Sequence, residues 1–308
     1  MRIISVINYK GGVGKTSVTA NLAGELAYRG RKILLIDLDP QASLTFSLIK
    51  PEEWKADFEK SGTIKNWFDS MEDGNPISLN DLIYSPEKTK KILEDRGKLN
   101  LIPSHLGLIN VDLELATELG GANIKQSKRK YLKVHKRLFD GLKSIDKELY
   151  DIVLIDCPPN FNIVTKNAIV ASDYILIPAK PDYLSTLGID YLIRSLDELV
   201  NNFNDFAESG SGDEVERTIK PEILGVIFTM VQFYSNRPIA TIRPFIAQTK
   251  SLDIPVFASY IRENKTMFAD APQYGVPVVL SNTISETYRQ VVEEIKEFVT
   301  EFEKKLNL

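Results

Sequence analysis

A chain of 308 residues, 43% hydrophobic and 26% charged, can bury the core of one large α/β domain. Its formal net charge of −4 argues against nucleic-acid binding by the whole surface but leaves room for a local basic patch. One cysteine, Cys157, excludes an intramolecular disulfide and a multi-cysteine metal site, no stretch approaches the roughly 18–20 apolar residues of a membrane span, and the leading run IISVI is too short for a signal peptide; the cytoplasm is the expected location.

The first apolar run, IISVIN (3–8), reads as a buried strand and leads into glycines. Residues 14–29 then carry Val18, Leu22 and Leu26 on one helical face. KILLIDLD (32–39) is a second buried strand. Residues 45–98 are the least regular part: WKADFEKSG and SMEDGNPIS read as loops, with short helices around 63–70 and 87–95. Further strands are expected at LNLIPS (99–104), DIVLIDCPP (151–159), YILIPAK (174–180) and EILGVIFTMV (222–231). A helix at 187–203 aligns Leu187, Tyr191, Leu192, Leu196, Leu199 and Phe203, and the polar AESGSGDEVER (207–217) has the composition of a mobile loop. The tail places Ile284, Tyr288, Val291, Ile295, Phe298 and Phe302 at helical spacing, predicting a helix over about 283–306 that closes on the sheet.

Strands alternating with helices imply a doubly wound, mainly parallel sheet with helices on both faces. We expect one domain over 1–308, with an irregular helical insertion at about 45–98, no linker and no internal repeat.

The loop YKGGVGKTS carries the clearest chemistry. A strand, then Gly11, Gly12 and Gly14 around Val13, then Lys15, Thr16 and Ser17 opening a helix, is a phosphate cradle: backbone amides turn inward and the helix presents its positive end. Lys15 is placed to reach the β- and γ-phosphates and the Thr16 hydroxyl to ligate Mg²⁺. The pattern G-x-x-x-x-G-K-[ST] fails, because Tyr9 stands at its first glycine; the string is K-G-G-x-G-K-T, with a second lysine, Lys10, ahead of the glycines. Two buried strands also end in acids. Asp37 and Asp39 lie two residues apart, so strand alternation puts them on one face, and Asp156 ends DIVLID. A carboxylate following four apolar residues is costly to bury without a cation, and Mg²⁺ is the natural partner.

KGGVGKT (10–16), DLDPQ (37–41), DCPP (156–159) and IRENKTMFADAPQYGVPVV (261–279) together resemble the deviant Walker A P-loop ATPases related to MinD, and within them the ParA partition ATPases. The resemblance implies an ATPase, slow alone and partner-stimulated, with ATP and Mg²⁺ as cofactors. It implies an ATP-sandwich homodimer in which Lys10 crosses to the partner's phosphates, Asp39 positions the attacking water, and Asp37 and Asp156 surround Mg²⁺. Met230 and Arg262 fall where the adenine side of the site is expected. It implies non-specific DNA binding in the ATP state, nucleoid association, and a ParB-like centromere-binding partner in plasmid or chromosome segregation. Candidate DNA contacts are Arg237, Arg243 and Lys250, assigned to the helix after the 222–231 strand, then Lys265 and Arg262, the last open to either the DNA or the adenine role.

The alternative is a ParA-like ATPase positioning a protein assembly, carboxysome-type or MinD-like. The glutamate-rich polar face of the tail helix argues against a MinD-like membrane anchor, and one cysteine argues against an iron–sulfur reductase. The basic run KQSKRKYLKVHKR (125–137) reads as a solvated helix face, and His105 and His135 lack metal-ligand spacing.

Overall fold

The structure, a computed structural model, describes residues 1–72, 74–209, 217–235, 237–268, 275–281 and 285–308. In chain order the strands are β1 (Arg2–Val6), β2 (Lys32–Asp37), β3 (Lys98–Ile102), β4 (Ile152–Asp156), β5 (Tyr174–Ala179), β6 (Glu222–Val231), the short pair β7 (Phe233–Tyr234) and β8 (Arg237–Pro238), and β9 (Val256–Arg262). Seven of them form one parallel sheet, ordered β3-β2-β4-β1-β5-β6-β9.

The apolar runs are continuous because both faces are covered. Leu34, Ile36, Val153 and Ile155 point into a core shared with the helices Ile64–Glu72, Leu108–Glu118, Ile163–Ala171 and Tyr183–Glu208. Ile33, Leu35, Ile152 and Leu154 point the other way, under Leu22 and Leu26 of the helix Lys15–Tyr28 and Phe298 and Phe302 of the C-terminal helix Glu286–Leu306. β1 lies centrally between β4 and β5, so the chain leaves it to both sides, and the loops at the carboxyl ends of β1, β2, β4 and β5 converge on one crevice.

The structure departs from the sequence reading in several places. A helix, Pro51–Asp57, occupies the start of the segment read as a loop; Pro51 stands in its first turn, and Glu52 and Glu53 suit its N-terminus. The helix expected over 187–203 runs Tyr183–Glu208, taking in the start of the polar 207–217 segment. The hairpin β7–β8 and the edge strand β9 add to the six expected strands. Arg237 sits on β8 of that hairpin, not on the following helix, which is Arg243–Lys250. Residues 210–216 of the polar loop, 269–274 of the 261–279 string, and Ile284 of the tail lie outside the described residues. Among the described residues no helix is long and apolar enough to cross a membrane.

Candidate nucleotide site

β1 delivers the glycine loop to the crevice. Gly12 and Gly14 adopt φ of 67° and 82°, a region costly for side-chain-bearing residues. Gly14 is the N-cap of the helix Lys15–Tyr28 and supplies no side-chain cap, so the first-turn amides are left to a ligand. Two anchors hold the loop that the sequence reading missed. Asn8 Nδ2 donates to Pro178 O (2.7 Å), and its Oδ1 accepts the Lys10 amide (2.9 Å). Thr229 Oγ1 donates to Val13 O (2.7 Å), tying the loop to β6. The Tyr9 ring packs between Phe161 and Tyr191, with centroids 5.5 and 5.3 Å away, where the ordinary loop has a glycine.

The two lysines diverge. Lys15 is buried and its Nζ stays within the loop, donating to Asn8 O (3.3 Å). Burial lowers its pKa, against the pull of Asp156 and Asp39. Lys10 Nζ leaves the loop for the helix Tyr183–Glu208, where it meets Asp182 at 2.8 and 2.7 Å.

Register explains the acids. Asp37 of β2 pairs with Asp156 of β4, so the two carboxyls stand side by side on the face carrying the helix Lys15–Tyr28. Thr16 Oγ1 donates to Asp156 Oδ2 (2.7 Å). Asp37 Oδ2 accepts from the Thr45 amide (2.8 Å) and hydroxyl (2.7 Å), and its Oδ1 accepts the Asp39 amide (3.1 Å). Both carboxyls are fully enclosed and pushed well above the usual carboxylate range, first by burial and, for Asp37, next by the charge of Asp156. Two adjacent buried acids beside a threonine hydroxyl form a set of hard oxygens short of a cation. That donor set fits Mg²⁺, which Thr16, Asp37 and Asp156 would hold, directly or through water. Among the described residues no three His, Cys, Asp or Glu groups stand together as a protein-only metal cage.

Asp39 is half-buried, and its Oδ1 accepts the Gln41 amide (2.9 Å). Ser104 Oγ donates to its carbonyl (2.7 Å), a tie across from the end of β3. Cys157 is fully buried, and burial raises its thiol pKa, which leaves it inert packing.

Beside the cradle opens a cavity of about 370 Å³, lined by Gly14, Ser17, Thr229, Met230, Ile261 and Phe268, with Arg262 and Lys265 at its wall. Its size and mixed lining suit a nucleoside. Met230 turns into it with φ of 52°. Arg262 is held by the C-terminal helix through Glu294 Oε1 (2.6 Å) and Gln290 Oε1 (2.6 Å). The candidate DNA contacts therefore separate: Lys265 belongs to this cavity, while Arg237, Arg243 and Lys250 are exposed elsewhere and join no ion pair among the described residues.

A family model of the AAA domain matches residues 1–208. The sporulation initiation inhibitor protein Soj of Bacillus subtilis is 27% identical over 299 residues, 96% of this chain and 98% of Soj. The chromosome partitioning protein ParA of Myxococcus xanthus is 28% identical over 283 residues, 91% of this chain and 81% of its own. An ATP complex of McdA from Cyanothece shares the fold with a TM-score of 0.70 at 21% identity, covering 100% of this chain and 97% of that one. Loop, strand-end acids and relatives lead to one assignment: the chain belongs to the ParA family of P-loop partition ATPases.

Proposed function

We propose that this protein is an ATP-driven dimerising switch that binds DNA without sequence preference and, with a ParB-like partner, segregates or positions plasmid or chromosomal DNA. The observation that carries the reading is the divergence of the two lysines. Lys15 turns into its own cradle, and Lys10 turns out of it onto an exposed helix end. A cation facing outward beside a phosphate loop is placed to serve a second copy's triphosphate. Its arrival offsets charge that otherwise opposes closure of two nucleotide sites on each other.

In this reading the amides of the loop and Lys15 bind the β- and γ-phosphates. Thr16, Asp37 and Asp156 would hold Mg²⁺, which would supply neutralisation of phosphate charge. Asp39, fixed by Ser104 and Gln41, orients the attacking water toward the γ-phosphate. Met230, Phe268 and Arg262 enclose the base. DNA phosphates are met by Arg237, Arg243 and Lys250, whose cationic groups are exposed and free of carboxylates among the described residues. Hydrolysis is slow alone and accelerated by the partner, so nucleotide state times DNA release. The name of the Myxococcus xanthus relative, a chromosome partitioning protein, supports partition as the task.

The test is binding to a random-sequence DNA duplex with ATP, ADP or no nucleotide, at two salt concentrations. Binding only with ATP, and weaker at high salt, is expected. Replacing Arg237 and Arg243 together by Ala should lower the slope of log K against log salt by about 2. Absence of DNA binding in every nucleotide state would overturn the DNA reading and leave an ATPase that positions a protein assembly.

A further inference from the structure

The segment leading into the glycine loop is fastened to one helix. The Lys10 ammonium bonds both oxygens of Asp182 (2.8 and 2.7 Å) and lies 3.3 Å from Ser185 Oγ. One step earlier, Tyr9 packs on Tyr191. Asp182 is the N-cap of the helix Tyr183–Glu208, and its Oδ1 also accepts the Ser185 amide (2.8 Å). The Lys10 carboxylate partner is therefore a fixed group. It cannot follow the lysine if the lysine moves.

The surroundings bear on what moves it. The ion pair is only partly covered, with the two side chains 30% and 41% exposed. Over the first three turns of the helix, Tyr183, Leu184 and Tyr191 are 57%, 65% and 63% exposed. Apolar side chains this open, on the helix whose end carries a partly exposed ion pair, form a surface that a second macromolecule can cover. An ammonium that already has two carboxylate oxygens cannot donate fully to a phosphate as well. A half-exposed pair is also weak enough to be exchanged for a polyanion.

We propose that Asp182 is a positioning residue for Lys10. It holds the lysine in cis on the helix end of its own chain, and dimerisation on ATP proceeds by trading Asp182 for the triphosphate of the second copy. This rests on the reading that Lys10 acts across a dimer. It goes beyond that reading by naming the group that must release the lysine. Asp182 thereby sets the protein concentration at which ATP drives assembly.

The test uses Asp182→Asn, because Asn caps a helix as well as Asp and keeps the Ser185 bond while removing the charge. Dimerisation is measured by sedimentation velocity of the full chain with Mg²⁺ and a slowly hydrolysed ATP analogue. Thermal melting controls for folding. The variant should dimerise roughly 2- to 30-fold more tightly than wild type, the square of the weight of one exposed ion pair. Nucleotide affinity of the isolated chain should not change. Lys10→Ala should abolish the nucleotide-dependent dimer, and the double variant should behave as Lys10→Ala. Equal or weaker dimerisation of Asp182→Asn, with a wild type that does dimerise, overturns the role of Asp182 alone. An effect of Asp182→Asn that persists in the Lys10→Ala background also overturns it, since Asp182 would then act by another route. A wild type that never dimerises with nucleotide removes the underlying switch and this role with it.

Discussion

At the scale of single residues, Ser104 has every polar atom committed beside the acids. Its amide donates to Thr45 Oγ1 (2.9 Å), its hydroxyl to Asp39 O (2.7 Å), and its carbonyl accepts the Trp54 indole (3.1 Å). Thr45 in turn bonds Asp37. One buried serine thus links the end of β3, Asp37 through Thr45, Asp39 directly, and the helix Pro51–Asp57. Removing its hydroxyl leaves Asp39 present but less firmly placed. We expect Ser104→Ala to lower kcat by about tenfold with KM for ATP unchanged, Ser104→Thr to recover part of the loss, and Asp39→Ala to lower kcat by about 10²-fold or more while ATP still binds. Steady-state kinetics decide this. A rise in KM at constant kcat in Ser104→Ala would take Ser104 out of the positioning of Asp39. Asp37, Asp39 and Asp156 are legible in the sequence because each ends a run of apolar residues. The helpers are not. Ser104 meets Asp39 only because β3 pairs with β2 in the register Ile36 to Ile102, a long-range fact. Asp182 lies 172 positions from Lys10 and reads locally as an ordinary helix cap.

At the scale of elements, the sheet was legible where it is buried on both faces and not where it ends. Strands β1 to β6 are near-continuous apolar runs, which only a covered parallel sheet tolerates. The edge strand β9, VFASYIR, places small, partly exposed residues at its centre and carries no such signal. Its open side is managed by the C-terminal helix. Glu301 accepts the amides of Ala258 (2.9 Å) and Ser259 (3.1 Å) and the Ser259 hydroxyl (2.8 Å), while Glu294 holds Arg262. The glutamates of the tail are therefore partly structural, and Glu303 likewise takes Arg29 (2.8 Å). An edge strand with free amides is a template for a second chain. Glu301→Ala should lower stability by about 1–2 kcal/mol, as charge-assisted hydrogen bonds are lost to water. It should also raise aggregation at partly denaturing urea concentrations. Chemical denaturation and light scattering check this; a variant as stable and as soluble as wild type would show that the helix covers β9 without Glu301.

At the scale of the whole molecule, the helical layer opposite the phosphate-loop helix encloses His135, a group that couples folding to pH. The ring stacks on Tyr131 at 4.0 Å and its Nδ1 lies 2.8 Å from Tyr131 O, while Nε2 is buried without a partner. Burial pushes its pKa down from 6.5 to about 4, with Lys166 adding to the fall. The basic run over 125–137 is thus not uniformly solvated. Lys125, Arg129 and Lys133 are exposed, but His135 and Arg137 face inward, the latter onto Glu118. A base with a depressed folded-state pKa binds fewer protons folded than unfolded. Its contribution is fully present above the unfolded value of 6.5 and is lost as pH falls through about 4. The gap between those values corresponds to about 3 kcal/mol at 1.36 kcal/mol per pH unit, an upper bound for one group in this window. His135→Phe keeps the stacked ring and removes the titration. Urea unfolding at pH 7 and at pH 4.5 should therefore show the stability of the variant, relative to wild type, rising by about 2–3 kcal/mol between the two conditions. The other titrating groups are shared by both proteins and cancel in that difference. A difference that does not change with pH would mean that His135 is charged in the folded state, with the second nitrogen finding an acceptor.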